Sequence, residues 1–124
     1  MKVIQSESAP KVVGPYSPAI EHGNFVFCSG QIGIDPSTGE LVEGIENQTK
    51  QVVENLQQVL LATELDLDHV VKTTIFLASM SDYSTVNEIY GSYFTEHKPA
   101  RSTVQVARLP MGALIEIEAI AVKI

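Results

Sequence analysis

The sequence is poor in cysteine and in basic residues, and both shortages narrow the possible functions. Cys28 is the only cysteine, so neither an internal disulfide nor a cysteine-based zinc site is expected. Eight Lys and Arg residues stand against fifteen Asp and Glu, for a formal net charge of −7. Because nucleic-acid binding draws most of its affinity from neutralising phosphates, neither nucleic acid nor an anionic membrane surface is an expected partner.

Long apolar runs are missing as well. No stretch approaches the roughly 18 apolar residues of a membrane span, and the N-terminal MKVIQSESAP lacks the apolar segment of a signal peptide. We therefore expect a cytoplasmic location. The chain has instead a composition typical of a globular protein, 44% hydrophobic and 19% charged. A length of 124 residues predicts one domain over 1–124.

Apolar periodicity predicts an α+β fold. Two helices are expected, over about 45–63 and over 81–97, the second ending before Pro99. Strands are expected near Val3 and Ile4 and over 25–34, 70–78, 101–107 and 114–122. The RLPMG segment between the last two strands is typical of a hairpin-like connection. This order predicts a mixed sheet with both helices on one face.

The last strand, in ALIEIEAIAVKI, raises the question of what covers the second face of the sheet. Alternation places one set of side chains in the core: Ile115, Ile117, Ala119 and Ala121. The opposite set begins acidic and ends apolar: Leu114, Glu116, Glu118, Ile120, Val122 and Ile124. Depending on register, Phe25 and Phe27, or Val26 and Cys28, would join it. Because such a patch rarely stays bare, we expect a homo-oligomer, with a monomer bearing a mildly apolar sheet as the alternative.

A polar cluster on the last two strands is the main chemical signal. Alternation places Ser102, Val104 and Val106 towards the helices, and Arg101, Thr103 and Gln105 on the other face. If the two strands pair, those last three share a face with Glu116 and Glu118. Arginine can grip a carboxylate with two hydrogen bonds, and a half-buried glutamate can position or deprotonate water. A structural Arg–Glu salt bridge is the alternative.

Other chemistry-bearing residues carry weaker signals. His22, His69 and His97 lack the spacing of metal ligands. Cys28 is more typical of a small core residue than of a nucleophile. No nucleotide, metal or flavin motif occurs, so no cofactor and no metal are expected.

Three segments together resemble one known family. GPYSPAI, CSGQIGIDPSTGEL and PARSTVQVARLP with the following IEIEAIAV are similar to the reactive intermediate deaminase family, also called the Rid or YjgF family. The resemblance runs almost end to end and extends to the subgroup that hydrolyses 2-iminobutanoate and 2-iminopropanoate. It implies a chorismate-mutase-like α+β fold and a homotrimer, with the sheets facing a central barrel and clefts between subunits.

The resemblance also implies site residues. Arg101 matches the arginine that binds the substrate carboxylate, and Glu116 matches the acid that positions water, which leaves Glu118 structural. Other matched cleft residues are Tyr16, Ser29, Gly30 and Asn87. Thr103 stands where the family usually has cysteine, which argues against thiol chemistry and leaves a hydroxyl or backbone contact.

The activity implied by the resemblance is cofactor-independent hydrolysis of enamine and imine intermediates. Pyridoxal-phosphate dehydratases would release these, and the products would be 2-keto acids and ammonia. A non-catalytic small-molecule-binding regulator that uses the same clefts is the alternative. A ribonuclease or translation inhibitor, a label given to some family members, is disfavoured by the acidic charge and the absence of a basic patch.

Overall fold

A computed structural model describes all residues, 1–124, as a six-stranded sheet, a small two-stranded hairpin and two α-helices. The strands are β1 Lys2–Ile4, β2 Ala19–His22, β3 Phe25–Ile32, β4 Ile34–Asp35, β5 Glu40–Leu41, β6 Val70–Leu77, β7 Ala100–Gln105 and β8 Ile115–Val122. The helices are α1 Ile45–Leu61 and α2 Tyr83–Tyr93, and single 3-10 turns precede β6, α2 and β8. Neither helix is long and apolar enough to cross a membrane.

The apolar stripe predicted for the first helix is confirmed. Val52, Val59 and Leu60 are fully buried in α1, which packs on β3 and β8. The second helix ends four residues earlier than predicted. Phe94 leaves the helical region with φ −112° and ψ 73°, and its ring is buried with a centroid 4.6 Å from that of Tyr90.

The sheet order is β1-β2-β3-β8-β6-β7, and only the β6–β7 pair is parallel. The predicted mixed sheet with two helices on one face is thus confirmed. The hairpin-like connection between the last two strands is wrong, because β6 lies between β7 and β8. The β6–α2–β7 segment is a crossover unit, and such a unit returns its second strand parallel to its first. The sequence analysis also missed β2 and the β4–β5 hairpin.

The register decides which aromatic residues lie on the uncovered face. Val26 and Cys28 point into the core, whereas Phe25 and Phe27 are 47% and 46% exposed. Burial raises the pKa of the Cys28 thiol to about 12, which fits a core residue rather than a nucleophile. On β8 the predicted core side is confirmed, since the alternating residues from Ile115 to Ala121 are buried.

The predicted orientation of β7 is wrong. In the β6–β7 ladder Arg101 pairs with the buried Thr73, and Thr103 pairs with the buried Ile75. Paired residues in a sheet point to the same face, so Arg101 and Thr103 lie on the helix side. Ser102 and Val104 lie on the open side instead, where Val104 is 44% exposed. The error arose because alternation was interpreted with the apolar Val104 and Val106 on the helix side.

Two buried amides of α1 hold the elements that carry the site. Asn55 Nδ2 donates to the carbonyls of Ile32 and Ile34, at 3.1 and 2.9 Å. Gln48 Oε1 accepts from the backbone N–H of Leu114 at 2.8 Å. These bonds fix the end of β3 and the start of β8 relative to the helix layer.

Candidate active site

Glu116 projects from β8 onto the open face, between the fully buried Ile115 and Ile117. Its side chain lies directly over Gly30, beside the register shift between Cys28 and Gln31 in β3. A Cβ atom added at Gly30 would lie 2.8 Å from Glu116 Cδ, closer than carbon atoms normally approach. The glutamate therefore occupies the space that a side chain at position 30 would need.

The Glu116 carboxyl lines a cavity of about 330 Å³ together with Tyr16, Gly30, Pro110 and Met111. Segment 10–13 closes one side of this cavity. Met111 has a left-handed backbone with φ 58°, which is uncommon for a non-glycine residue.

Burial is the main cause that raises the pKa of Glu116, and the neighbouring Glu118 charge adds to it. A carboxyl group with a raised pKa is a better proton acceptor near neutral pH than an ordinary one.

Ser29 ties the loop that carries Tyr16 to β3. Its Oγ donates to the Ser17 carbonyl at 2.6 Å, and its backbone N–H donates to the Pro18 carbonyl at 2.9 Å. The structure thus brings Tyr16, Ser29, Gly30 and Glu116 into one region.

Arg101 lies elsewhere, on the edge strand β7 beside helix α2. Its Nη2 donates to the Tyr83 hydroxyl at 3.1 Å, and its Cζ lies 5.0 Å from the Tyr90 ring centroid and 5.7 Å from that of Tyr83. Arg101, Tyr90 and Asn87 line a second cavity of about 320 Å³. No carboxylate pairs with this half-buried guanidinium, because the two ion pairs of the chain are His69–Asp66 and Lys123–Glu21.

Two polar atoms near Arg101 have no hydrogen-bond partner within the chain. They are Asn87 Oδ1 and Thr103 Oγ1, and both are buried. Buried polar atoms in native proteins are nearly always satisfied, so each exception calls for an explanation. A bound ligand or a second subunit would supply the missing partners.

The predicted site residues therefore form two groups. Tyr16, Ser29, Gly30 and Glu116 form the first group, and Asn87, Arg101 and Thr103 form the second. The prediction that Arg101 and Thr103 share a face with Glu116 and Glu118 is wrong, because the register places them on opposite faces.

Sequence reasoning missed the residues that surround the arginine. Tyr83 and Tyr90 lie on one side of α2, and their spacing of seven residues is also that of an ordinary core stripe. Thr73, whose Oγ1 lies 2.8 Å from the Tyr90 hydroxyl, gives no signal in the sequence. Segment 10–13 and Met111 were likewise not predicted to line the glutamate cavity.

Comparison with known proteins gives consistent matches over nearly the whole chain. A family model described as Endoribonuclease L-PSP matches residues 6–123. A RutC family protein of Pyrococcus horikoshii is 54% identical over 98% of both chains. The 2-iminobutanoate/2-iminopropanoate deaminase of Mus musculus is 50% identical over 98% of this chain and 91% of its own. The crystal structure of E. coli TdcF with bound serine superposes with a TM-score of 0.96, at 40% identity and full coverage of both chains.

Proposed function

The chain belongs to the endoribonuclease L-PSP family, which includes the reactive intermediate deaminases, and we propose that it hydrolyses 2-imino acids to 2-keto acids and ammonia. The substrates we favour are 2-iminobutanoate and 2-iminopropanoate, because these are the compounds in the name of the mouse relative. Such imines arise from enamines that pyridoxal-phosphate dehydratases release. The protein would then remove reactive metabolites, and we expect it to do so in the cytoplasm.

The observation that carries this proposal is the guanidinium of Arg101, half-buried against two tyrosine rings and without a carboxylate partner. A buried charge is normally paired, and a guanidinium can form two parallel hydrogen bonds with a carboxylate. A 2-imino acid has a carboxylate next to its reactive carbon. Binding through Arg101 would therefore fix the position of that carbon.

We propose that the complete site forms between two subunits of a homotrimer. Arg101 and Glu116 lie on opposite faces of their own sheet, so a single chain does not bring both residues into one site. The open face, which carries Phe25, Phe27 and Val104 with exposures of 44–47%, is a suitable contact surface. Packing copies on this face would bring the Glu116 cavity of one subunit to the Arg101 edge of its neighbour.

The chemistry in such a site needs no nucleophilic side chain. The protonated imine has an electrophilic C2, and Glu116 accepts a proton from a water molecule as the water oxygen bonds to C2. The product of this addition has a hydroxyl and an amino group on C2. Proton return from Glu116 to the amino nitrogen allows the C–N bond to break, while the hydroxyl proton passes to Glu116 or to solvent. The C2 carbonyl of the 2-keto acid forms and ammonia is released. Orientation of the water and the imine is the main contribution of the protein.

The test is a competition for the imine. Threonine dehydratase generates 2-iminobutanoate in the presence of semicarbazide, and semicarbazone formation is followed with wild-type protein, Arg101→Ala and Glu116→Gln. Suppression of trapping by the wild type alone is the expected result. Equal suppression by Arg101→Ala, with its fold intact by circular dichroism, would contradict the proposal.

A non-catalytic ligand-binding role is the second candidate, favoured by the bound serine in the E. coli TdcF structure. It predicts that 2-keto acids bind while the rate of semicarbazone formation stays unchanged. The net charge of −7 argues against RNA as the substrate, although the family description contains the word endoribonuclease.

A further inference from the structure

The Arg101 guanidinium is held by its own chain before any ligand arrives. One of its five N–H groups, on Nη2, donates to the Tyr83 hydroxyl at 3.1 Å. The rings of Tyr83 and Tyr90 both lie within the distance at which a cation is attracted to an aromatic face. The hydrogen bond sets the rotation of the guanidinium plane, which the two ring contacts alone leave free.

The two tyrosines are held differently. Tyr90 is buried, its hydroxyl lies 2.8 Å from Thr73 Oγ1, and its ring packs on Phe94. Thr73 is the ladder neighbour of Arg101, so the Tyr90 ring forms a fixed support beside the arginine. Tyr83 lies in the first turn of α2 and is only partly buried. Of the two tyrosine hydroxyls, that of Tyr83 is therefore the one that a bound ligand can reach.

The Tyr83 oxygen lies in an electropositive setting. The side chain of Asn87, one helical turn further along α2, is the first cause that lowers the pKa of Tyr83, and the Arg101 charge is the second. Arg101 donates to the phenol oxygen, and the phenol proton has no acceptor in the chain, since even the nearby Asn87 Oδ1 is unpaired. A carboxylate held by Arg101 would supply that acceptor.

We propose that Tyr83 is a positioning residue that orients Arg101 for carboxylate recognition, so that the anion receptor is a Tyr83–Arg101 pair rather than a lone arginine. This inference rests on the proposed function for the identity of the ligand, a 2-oxo or 2-imino carboxylate. It assigns to the Tyr83 hydroxyl a contribution to binding that is separate from the water-positioning step at Glu116.

The test compares Tyr83→Phe with wild-type protein, since this change removes one oxygen and keeps the ring. Calorimetric titration with 2-oxobutanoate is expected to give an affinity lower by about tenfold in the variant, the loss typical of one hydrogen bond to a charged group. Titration with the neutral 2-oxobutanamide is expected to give equal affinities. In the imine assay KM is expected to rise by a similar factor while kcat changes less than twofold.

Tyr93→Phe is the matched control, because Tyr93 lies on the same helix and its hydroxyl makes no contact with Arg101. It is expected to bind 2-oxobutanoate like wild type. An unchanged affinity in Tyr83→Phe, an equal loss for the carboxylate and the amide, or no 2-oxobutanoate binding by the wild type would overturn the inference. Because the titration needs no turnover, the comparison of affinities can still be interpreted if the protein does not hydrolyse imines.

Discussion

Arg101 and Glu116 point to opposite faces of the six-stranded sheet, although only one strand, β6, separates their strands. The ladder joins Arg101 to Thr73 and Glu116 to Phe76, two residues of β6 that are an odd number of positions apart. Side chains at such positions lie on opposite faces. A site that uses both residues must therefore draw them from two copies of the chain.

Subunit mixing tests this arrangement. Arg101→Ala and Glu116→Gln are each expected to be inactive as pure oligomers. After denaturation and refolding of an equal mixture, random assembly would give each interface one intact arginine and one intact glutamate in about one quarter of sites. Activity near that fraction of wild type is the expected result in the imine-trapping assay. If the mixture stays inactive while refolded wild type recovers, both residues act within one chain.

Gly30→Ala tests whether the position of Glu116 matters. The new Cβ would displace the Glu116 side chain, whose Cδ lies 2.8 Å from that point. Because the displaced group is the end of a flexible side chain, we expect little loss of stability. A misplacement of about 1 Å can lower a rate on the order of 10²-fold, and we expect a loss of kcat of that size.

Gly33→Ala is the matched control for this change. Its Cβ would lie 2.9 Å from Gln48 Cα, an atom of the α1 backbone that cannot swing aside. We expect a loss of about 1–3 kcal/mol in the free energy of unfolding, measured by urea denaturation, with the activity of the folded fraction largely kept. A reversed outcome, in which Gly30→Ala unfolds and stays active per folded molecule, would contradict the role given to Glu116.

The strong local patterns of the sequence were sufficient to locate most elements. The predicted strands over 70–78 and 114–122 end within one residue of β6 and β8, because both alternate between buried and exposed positions. The partners of a strand depend on the crossover through α2, which no local pattern encodes. That is why the last two strands were predicted as neighbours. Arg101 was predicted on the wrong face for a different reason: the apolar Val104 was assigned to the helix side, whereas it lies exposed on the open side.

Some residues around the site could be recognised from the sequence, and others could not. Arg101 and Glu116 stand out because charged side chains interrupt apolar strands. Tyr83 does not stand out, since an aromatic residue on the inner side of a helix usually packs in the core. Strands β2, β4 and β5 have four residues or fewer, too few for alternation to be recognised.

Glu116→Gln should stabilise the fold at neutral pH. Burial raises the pKa of Glu116 above its ordinary value of 4.5, so the folded protein binds this proton more tightly than the unfolded chain. Stability then falls as pH rises from 4.5 through the raised pKa, and the penalty persists above it. The variant escapes this penalty, and we expect its Tm at pH 7 to exceed that of wild type by roughly 1–3 °C.

The pH dependence distinguishes this cause from better packing. The difference in Tm between Glu116→Gln and wild type should shrink as the pH falls towards and below 4.5, because the carboxyl becomes protonated in both states. Melting curves of both proteins over pH 4–8 measure this difference in Tm. A difference that stays constant across this range would show that ionisation of Glu116 is not the reason.

Phe27→Glu tests the proposed use of the open sheet face for assembly. Phe27 is 46% exposed, stacks on Phe25 with ring centroids 6.0 Å apart, and pairs across the ladder with Ile120. A charge at this position changes little in an isolated chain but would be buried without a partner in an oligomer that packs on this face. We expect the wild type to sediment as a trimer and Phe27→Glu as a folded monomer without imine hydrolysis. Leu61→Glu, at a position 57% exposed on α1, should leave assembly unchanged, and a trimeric Phe27→Glu would place the subunit contact elsewhere.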